Sequence, residues 1–424
     1  MMHNLLYIDP GTGSMLFSVF IGIAATLFFL ARAAYLKIQL IFSGKKAREA
    51  VKEGRKKYVI YNEGRQYWNL FKPILDAFER HHIEVTYFTS DKQDAVFGSG
   101  YQFVKAEYIG EGNRAFARLN LLSADIVLAT TPGLEVYQWK RSKDVKHYMH
   151  ILHMASDATM YRLFGLDYFD SCLLTGDYQK KDIQILEKQR GVSEKELVTV
   201  GCPYLDTLKQ KIALLPKEEN HPFTVLVSPS WGKDALLSKY GEKLIDPLLT
   251  TGWNIIIRPH PQSKKSEAEM LKKLEERYKD NGTIIWDYES DNIISMSKSD
   301  IMISDFSGII FDYTFLFDKP VLYVNANLDL RPYDAYDLAD GGTHLWQFEA
   351  VKKFGIELKE EQFANIKEVI QEISDNKDLA DARKNAKEEA WQFIGEAGER
   401  VVDFMIKKQE TLGVLENDNH TNPI

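Results

Sequence analysis

Short apolar segments alternate with longer segments of helical periodicity between residue 58 and a polar break at residues 216–222. This alternation is typical of βαβ units, in which crossover helices cover a parallel sheet. The predicted strands of this half are Tyr58–Tyr61, Glu84–Phe88, Phe103–Ile109, Asp125–Thr130 and His147–Leu152. The predicted helices are Tyr67–His81 and Asn113–Leu122. The first half therefore predicts one Rossmann-like domain.

The same alternation begins again after the polar break. The predicted strands are Thr224–Val227, Trp253–Arg258, Thr283–Trp286, Asp300–Ser304 and Val321–Asn325. The predicted helices are Leu236–Leu249, Ser263–Tyr278, Ser307–Phe317 and the closing helices Glu360–Ser374 and Leu379–Lys407. Two such patterns in succession predict an α/β fold of two Rossmann-like domains that face each other across a cleft.

These patterns divide the chain into four parts. Residues 1–57 predict a membrane anchor followed by a basic linker helix, and residues 58–217 predict the first domain. Residues 218–411 predict the second domain with its closing helices, and the polar residues 412–424 predict a disordered tail.

The N-terminal region contains an uncharged apolar run over residues 15–31. Its length is at the lower limit for a transmembrane helix, which needs about 20 residues. Lys and Arg residues follow the run and none precedes it, so we expect a single span with the domains in the cytoplasm. Two alternatives stay open: a cleaved signal peptide, although the basic region that should precede it is missing, and a helix that does not span the membrane.

Composition narrows the function classes. The net charge is −8, and the chain has neither a basic balance nor a basic stripe, which argues against a nucleic-acid-binding protein. The two cysteines, Cys172 and Cys202, form no metal-binding or disulfide motif, so we expect free thiols. No phosphate-binding P-loop or metal-ligand motif occurs, and the sequence therefore predicts neither a metal nor a cofactor.

Three polar clusters follow predicted strands of the second domain: Ser228–Trp231, Arg258–Gln262 and Ser304–Gly308. In doubly wound sheets, ligands bind beyond the carboxyl ends of the strands. The clusters therefore predict a ligand site along one edge of the second sheet, with Ser228 and Ser230 among its residues.

The cluster that ends at Gly308 opens a predicted helix. Ser304, Asp305, Ser307 and Gly308 would lie where the free N–H groups of a helix attract a phosphate. The alternative is an ordinary helix start that Ser307 caps. In the cluster Arg258-Pro259-His260-Pro261, two prolines end the strand and leave Arg258 and His260 at the sheet edge, where both side chains suit a phosphate ligand.

His153 follows the last predicted strand of the first domain, and Ser156 and Asp157 come shortly after it. A histidine in this position can act as a general base on an acceptor hydroxyl. The alternative is a partly buried histidine that packs beside Tyr161.

Several of these segments resemble the CDP-glycerol glycerophosphotransferase family, whose members prime or polymerise teichoic-acid chains. The resemblance covers about residues 145–325 and rests on four segments. They are Ser304–Tyr313 with Lys319–Tyr323, Arg258–Pro261, Ser228–Trp231 and Gly201–Asp206. The chain departs from the family at Met154, where the family has a glycine after the first histidine.

The resemblance implies a GT-B fold with the nucleotide donor on the second domain. It implies that His153 and His260 lie near the chemistry. We expect Arg258, His260 and the Ser307 helix start to hold the donor diphosphate and His153 to act as the base. We expect Ser156 and Asp157 to lie on the acceptor side. The expected reaction moves a polyol phosphate from a CDP-activated donor to a lipid-linked or cell-envelope acceptor and releases CMP. Two alternatives stay open: a nucleotide-sugar glycosyltransferase of the same fold and an inactive nucleotide-binding scaffold.

The apolar run generates a prediction about topology. A reporter fused to the C-terminus should be active in the cytoplasm, because the basic residues after the run retain the domains there. Deletion of residues 1–43 should release soluble protein. Protein sequencing that finds a mature chain starting near residue 33 would contradict the anchor, since it would mean that a signal peptide is cleaved.

Overall fold

The computed structural model describes residues 54–216, 221–289, 291–325, 328–374 and 376–421. The apolar run at residues 15–31 and most of the linker helix lie outside this part of the chain, so their predicted structure stays a prediction. Within the described ranges, no helix combines the length and apolar character that a membrane span requires.

The first sheet is a seven-stranded parallel sheet with the order β3-β2-β1-β4-β5-β6-β7. Its strands are β1 (Lys56–Asn62), β2 (Val85–Thr89), β3 (Val104–Tyr108), β4 (Ala124–Ala129), β5 (Val145–Ile151), β6 (Ser171–Leu174) and β7 (Glu196–Thr199). The helices of this half are α1 (Trp68–Arg80), α2 (Asn113–Leu119), α3 (Lys180–Arg190) and α4 (Pro203–Ala213). Every residue of β2 and β4 is buried, as expected for central strands that are covered on both faces.

The second sheet is also parallel and has the order β10-β9-β8-β11-β12-β13. Its strands are β8 (Thr224–Val227), β9 (Asn254–Ile257), β10 (Ile284–Trp286), β11 (Ile301–Ser304), β12 (Val321–Tyr323) and β13 (Ile356–Glu357). The helices that follow α4 are α5 (Leu236–Leu249), α6 (Ser263–Ser266), α7 (Ala268–Tyr278), α8 (Ile293–Lys298), α9 (Ile309–Phe317), α10 (Trp346–Phe354), α11 (Ile366–Ser374), α12 (Lys377–Ala390) and α13 (Ala397–Thr421).

Both sheets have a switch point where the strand order reverses, because β1 pairs with β4 in one sheet and β8 pairs with β11 in the other. The loops after these strands leave in different directions and open a crevice at the carboxyl edge. The two crevices are therefore the places where a ligand is expected to bind.

The last helix leaves the second sheet and packs on the first domain. Val401, Val402 and Met405 of α13 are buried in the same apolar cluster as the inner face of α1. Gly398 permits this approach, because a Cβ atom at this position would lie 2.4 Å from the carbonyl oxygen of Pro73. The sequence had placed the closing helices with the second domain. The helix also continues through residues 412–421, where the sequence predicted a disordered tail.

A second apolar cluster joins the two halves. Cys202 and Leu205 of the first half are buried against Ile310 and Phe311 of α9. Both cysteines of the chain are buried free thiols, as the sequence predicted. This shared core ties the region around α4 to the helix that opens at the second crevice.

Asp206 of α4 connects the same region to the start of α13. Its buried carboxylate accepts hydrogen bonds from Trp391 Nε1 at 3.0 Å, Gly395 N at 2.7 Å and Ala397 N at 3.1 Å. The substitution Asp206→Ala should lower the free energy of unfolding by about 3 kcal/mol, because it leaves these donors without a partner. Chemical denaturation measures the loss, with the exposed Asp280→Ala as the matched control. Equal stability of the two variants would show that the carboxylate does not hold α13.

Candidate active site

The second crevice is built on a direct contact between the loops that follow β8 and β11. Ser304 Oγ donates a hydrogen bond to the Ser228 carbonyl oxygen at 2.6 Å, and Ser228 N donates to the Ile303 carbonyl oxygen at 3.0 Å. Both serines are buried. The Ser304 side chain and the Ser228 backbone therefore fix the floor of the crevice.

Asp305 shapes the loop that forms one wall of this crevice. Its carboxylate accepts hydrogen bonds from Ser230 N and Leu236 N, each at 2.8 Å. Burial raises the pKa of Asp305 above its ordinary value. Asp305 and Ser230 are thus in direct contact, and the carboxylate positions the backbone of the loop after β8.

The N-terminus of α9 opens into the same region. The helix begins at Ile309, Gly308 occupies the N-cap position, and no side chain caps the first turn. Ser307 is not the cap that the sequence suggested, although its carbonyl oxygen accepts from Ile310 N at 3.2 Å. Gly308 is exposed, and nothing lies within 4 Å of the position that its Cβ would take. Ile310 N and Phe311 N donate within this turn, so the helix dipole and the remaining N–H groups of the turn favour an anion here.

Arg258 has a partner within the protein. Its guanidinium is buried, forms an ion pair with Asp287 and donates to the Glu289 carbonyl oxygen at 2.8 Å. The sequence predicted a fork of donors that faces a diphosphate. The structure differs because a buried guanidinium needs a compensating charge, which Asp287 supplies. Arg258 therefore fixes the loops after β9 and β10 beside the crevice.

His260 follows β9, and one hydrogen bond defines which of its ring nitrogens carries the proton. Its Nδ1 accepts a hydrogen bond from Gln262 N at 3.1 Å, which leaves the proton of the neutral ring on Nε2. Burial lowers the pKa of His260, while the charges of Asp305 and Glu267 act in the opposite direction. The indole of Trp231 lies 6.3 Å from the imidazole between ring centroids. The half-buried ring therefore offers a neutral N–H.

His153 follows β5 in the first sheet, and its hydrogen bonds assign the opposite tautomer. Its Nδ1 lies 3.0 Å from Thr130 Oγ1, and that hydroxyl donates its proton to the Ile151 carbonyl oxygen at 2.7 Å. Thr130 can therefore only accept from His153, so Nδ1 carries the proton and Nε2 keeps its lone pair. Burial lowers the pKa of His153 to about 4. The ring is thus neutral near pH 7, and its Nε2 lone pair can accept a proton.

Two tyrosines surround this imidazole. The Tyr161 hydroxyl lies 3.2 Å from His153 Nδ1 and 3.1 Å from His150 Nε2. The Tyr67 ring lies 5.1 Å from the His153 ring between centroids. Sequence reasoning identified Tyr161 only as a packing neighbour and missed Tyr67 and Thr130. The sequence offered one signal for a site role of these two residues. Tyr67 comes after β1 and Thr130 directly after β4, the two strands at the switch point of the sheet.

A segment from the second half of the chain holds Tyr161 in place. Asp334 N donates to the Tyr161 carbonyl oxygen at 2.8 Å, and the Asp334 carboxylate accepts from Phe164 N at 2.6 Å. The Arg190 side chain of α3 is 8% exposed and pairs with Asp334 and Asp167, each at 2.8 Å. The position of Tyr161, and with it the surroundings of His153, therefore depends on contacts between both halves of the protein.

Ser156 and Asp157 have structural partners in addition to their predicted acceptor-side position. The Ser156 carbonyl oxygen accepts from Tyr178 Oη at 2.9 Å and from Gln179 Nε2 at 2.6 Å. The Asp157 carboxylate accepts from Gln347 N at 2.7 Å, so it caps the start of α10 from the other half of the chain. Burial raises the pKa of Asp157 to about 7. Both residues are buried, and the Asp157 carboxylate is engaged by a backbone N–H of α10.

The arrangement provides an acceptor of protons on one sheet and donors to an anion on the other. Ser228, Ser230, Ser304 and Asp305 come together at the second crevice, and His260 follows the neighbouring strand. In the part of the chain that the structure describes, no group of three or more His, Cys, Asp or Glu side chains is placed to hold a metal ion.

Comparison with protein families assigns the chain. Residues 145–407, more than half of its length, match the family described as CDP-Glycerol:Poly(glycerophosphate) glycerophosphotransferase. The chain belongs to this family. The resemblance that the sequence motifs predicted is confirmed, and the protein is a CDP-glycerol glycerophosphotransferase-like enzyme. A comparison with curated protein sequences gave no match.

Solved structures share the fold of this glycerophosphotransferase family member. The wall teichoic acid polymerase TagF superposes with a TM-score of 0.52 at 14% identity, covering 84% of this chain and 89% of that chain. A TagF variant soaked with CDPG superposes with a TM-score of 0.52 at 13% identity, covering 89% of this chain and 99% of that chain. The UDP-GlcNAc 2-epimerase of Methanocaldococcus jannaschii, in complex with UDP-GlcNAc and UDP, superposes with a TM-score of 0.51 at 13% identity. The match covers 84% of this chain and 100% of that chain. Identities this low show the GT-B-like fold alone.

The open N-terminus of α9 generates a prediction about the donor. In Gly308→Glu, a carboxylate would occupy the end of the helix where a phosphate is expected, and the backbone accepts the side chain without a clash. We expect the Kd for CDP-glycerol, measured by calorimetry, to rise at least about 10-fold, because the charge-assisted hydrogen bonds of one phosphate are lost. The thermal midpoint should not fall. The matched control is Gly282→Glu, at another exposed and open glycine. Unchanged affinity in Gly308→Glu would place the phosphate elsewhere.

Proposed function

We propose that this enzyme transfers a glycerol phosphate-like polyol phosphate from a CDP-activated donor to a hydroxyl of a lipid-linked or cell-envelope acceptor, with release of CMP, in teichoic acid synthesis. Family membership supports the donor class and the reaction. The observation that carries the proposal is the pair of neutral histidines with opposite tautomers, one after a strand of each sheet.

The proposed reaction is a displacement at the phosphorus that bears the polyol. The acceptor hydroxyl gives its proton to His153 Nε2, while its oxygen forms a bond to that phosphorus. The bond from the phosphorus to the bridging oxygen breaks, and CMP leaves with that oxygen. His260 Nε2–H and the N–H groups at the start of α9 would stabilise the negative charge of the phosphate oxygens. Positioning of the two substrates across the cleft supplies much of the acceleration.

We also propose that residues 15–31 anchor the enzyme in the cell membrane with the two domains in the cytoplasm. The uncharged run and the basic residues that follow it support this topology. A lipid-linked acceptor would then meet the cleft at the membrane surface, where the CDP-activated donor is available from the cytoplasm.

The proposal is tested by incubating the full-length protein in detergent or membranes with CDP-glycerol, CDP-ribitol or a set of UDP-sugars and a crude lipid acceptor fraction. We expect release of CMP from a CDP-polyol. Release of UDP from a UDP-sugar would instead indicate a glycosyltransferase of the same fold. Nucleotide binding without release of any nucleotide would indicate a scaffold.

The two histidines generate a prediction about rate. His153→Asn and His260→Asn should each lower kcat/KM for CMP release by about 100- to 10,000-fold, because one removes the base and the other removes the donor to the phosphate. The matched control is His344→Asn, at an exposed histidine of the second half. Thermal midpoints establish that each variant is folded. Retention of most of the activity in His153→Asn would rule out this residue as the base.

A further inference from the structure

The crevice of the first sheet contains a carboxylate beside the proposed base. Glu63 directly follows β1, and Thr131 follows β4, so both lie at the switch point of the sheet. Thr131 Oγ1 donates a hydrogen bond to Glu63 Oε2 at 3.1 Å. Thr131 is buried, whereas Glu63 is exposed. The carboxylate is therefore held at the ligand-binding edge and faces solvent.

Two contacts link the surroundings of this carboxylate to those of His153 in the crevice of the first sheet. The neighbour of Thr131, Thr130, binds His153 Nδ1 at 3.0 Å. The Tyr67 ring lies 5.1 Å from the His153 ring between centroids. The pKa of the Tyr67 hydroxyl is raised mainly by burial and, to a smaller extent, by the charge of Glu63. Glu63 thus acts electrostatically on a side chain that contacts the imidazole.

The charge of Glu63 restricts which ligands the crevice of the first sheet can bind. Within the described part of the chain, no Lys or Arg forms an ion pair with this carboxylate, and its hydrogen-bond partner is the Thr131 hydroxyl. An ionised carboxylate only accepts hydrogen bonds, so a ligand must offer O–H or N–H donors. A phosphate at this position would be repelled. A ligand end that carries hydroxyl groups therefore suits this carboxylate better than one that carries a phosphate.

We propose that Glu63, held by Thr131, binds a second hydroxyl of the acceptor while His153 takes the proton of the attacking one. The first crevice offers two groups that accept hydrogen bonds, the Glu63 carboxylate and the His153 Nε2 lone pair. Together they suit the adjacent hydroxyls of a vicinal diol such as a glycerol terminus. This inference rests on the proposed function. It assigns acceptor specificity to the first crevice and to residues that the family motifs do not include.

The test uses two synthetic acceptors with the full-length enzyme and CDP-glycerol. One is an alkyl glycerophosphate with a free 2,3-diol, and the other is the alkyl 3-hydroxypropyl phosphate, which has a single terminal hydroxyl. The wild-type enzyme should prefer the diol by about 10-fold or more in kcat/KM, since a site built to bind a hydroxyl rejects an analogue that lacks it. Glu63→Ala should remove the preference, and Glu63→Gln should retain part of it. The KM for CDP-glycerol should stay the same in both variants.

The matched control is Glu84→Ala, because Glu84 is an exposed glutamate that precedes β2 at the opposite edge of the same sheet. A Glu63→Ala enzyme that keeps the wild-type preference would overturn this inference and leave the proposed function intact. A raised KM for CDP-glycerol in that variant would overturn it too, because the carboxylate would then bind the donor. If the wild-type enzyme releases CMP with the crude lipid fraction but with neither probe, the diol terminus is not the recognised group. If it releases CMP with none of the acceptors, the proposed function itself fails.

Discussion

The parallel hydrogen bonding of β1 with β4 and of β8 with β11 decides where chemistry is placed in this protein. Each pair lies at the point where the strand order reverses, so the loops after its strands diverge and leave a crevice. Every group with a proposed chemical role follows one of these strands or an immediate neighbour. The proposed base His153 follows β5, the Glu63 carboxylate follows β1, and the open helix start follows β11. The same pairing in both sheets yields two crevices, as a reaction between two substrates requires.

The two crevices are held by contacts that cross between the halves of the chain. Asp334 comes from the second half and fixes the backbone of Tyr161, whose hydroxyl contacts His153. Asp157 comes from the first half and caps α10 in the second. In these contacts, backbone N–H groups and Arg190 take the place of the water that would otherwise solvate the buried carboxylates. Their geometry is therefore costly to disturb. A displacement of one domain relative to the other would therefore move the proposed base as well.

Sequence patterning predicted most of the sheet elements because buried parallel strands are short, apolar and separated by amphipathic helices. It gave no element between residues 153 and 216, where β6, β7, α3 and α4 lie. The strand β6 contains Ser171 and Cys172 among its four residues, and β7 is only partly buried, so neither shows an apolar run. The predicted helix Ser263–Tyr278 is interrupted at Glu267, which has a non-helical backbone conformation. These departures depend on tertiary packing rather than on local preference.

The site was harder to predict, because its chemistry depends on partners that are distant in the sequence. The sequence predicted that Arg258 binds a phosphate, because an arginine side chain suits that ligand. In the structure, Arg258 forms an ion pair with Asp287, which follows the neighbouring strand β10. For the histidines, the sequence supplied the positions, whereas the tautomers follow from Thr130 in one case and Gln262 N in the other. Because burial lowers the pKa of both rings, the two differ in the nitrogen that carries the proton rather than in charge. A neutral ring that accepts a proton and a neutral ring that donates one suit a displacement at phosphorus in which the attacking oxygen loses a proton and the phosphate oxygens gain hydrogen bonds.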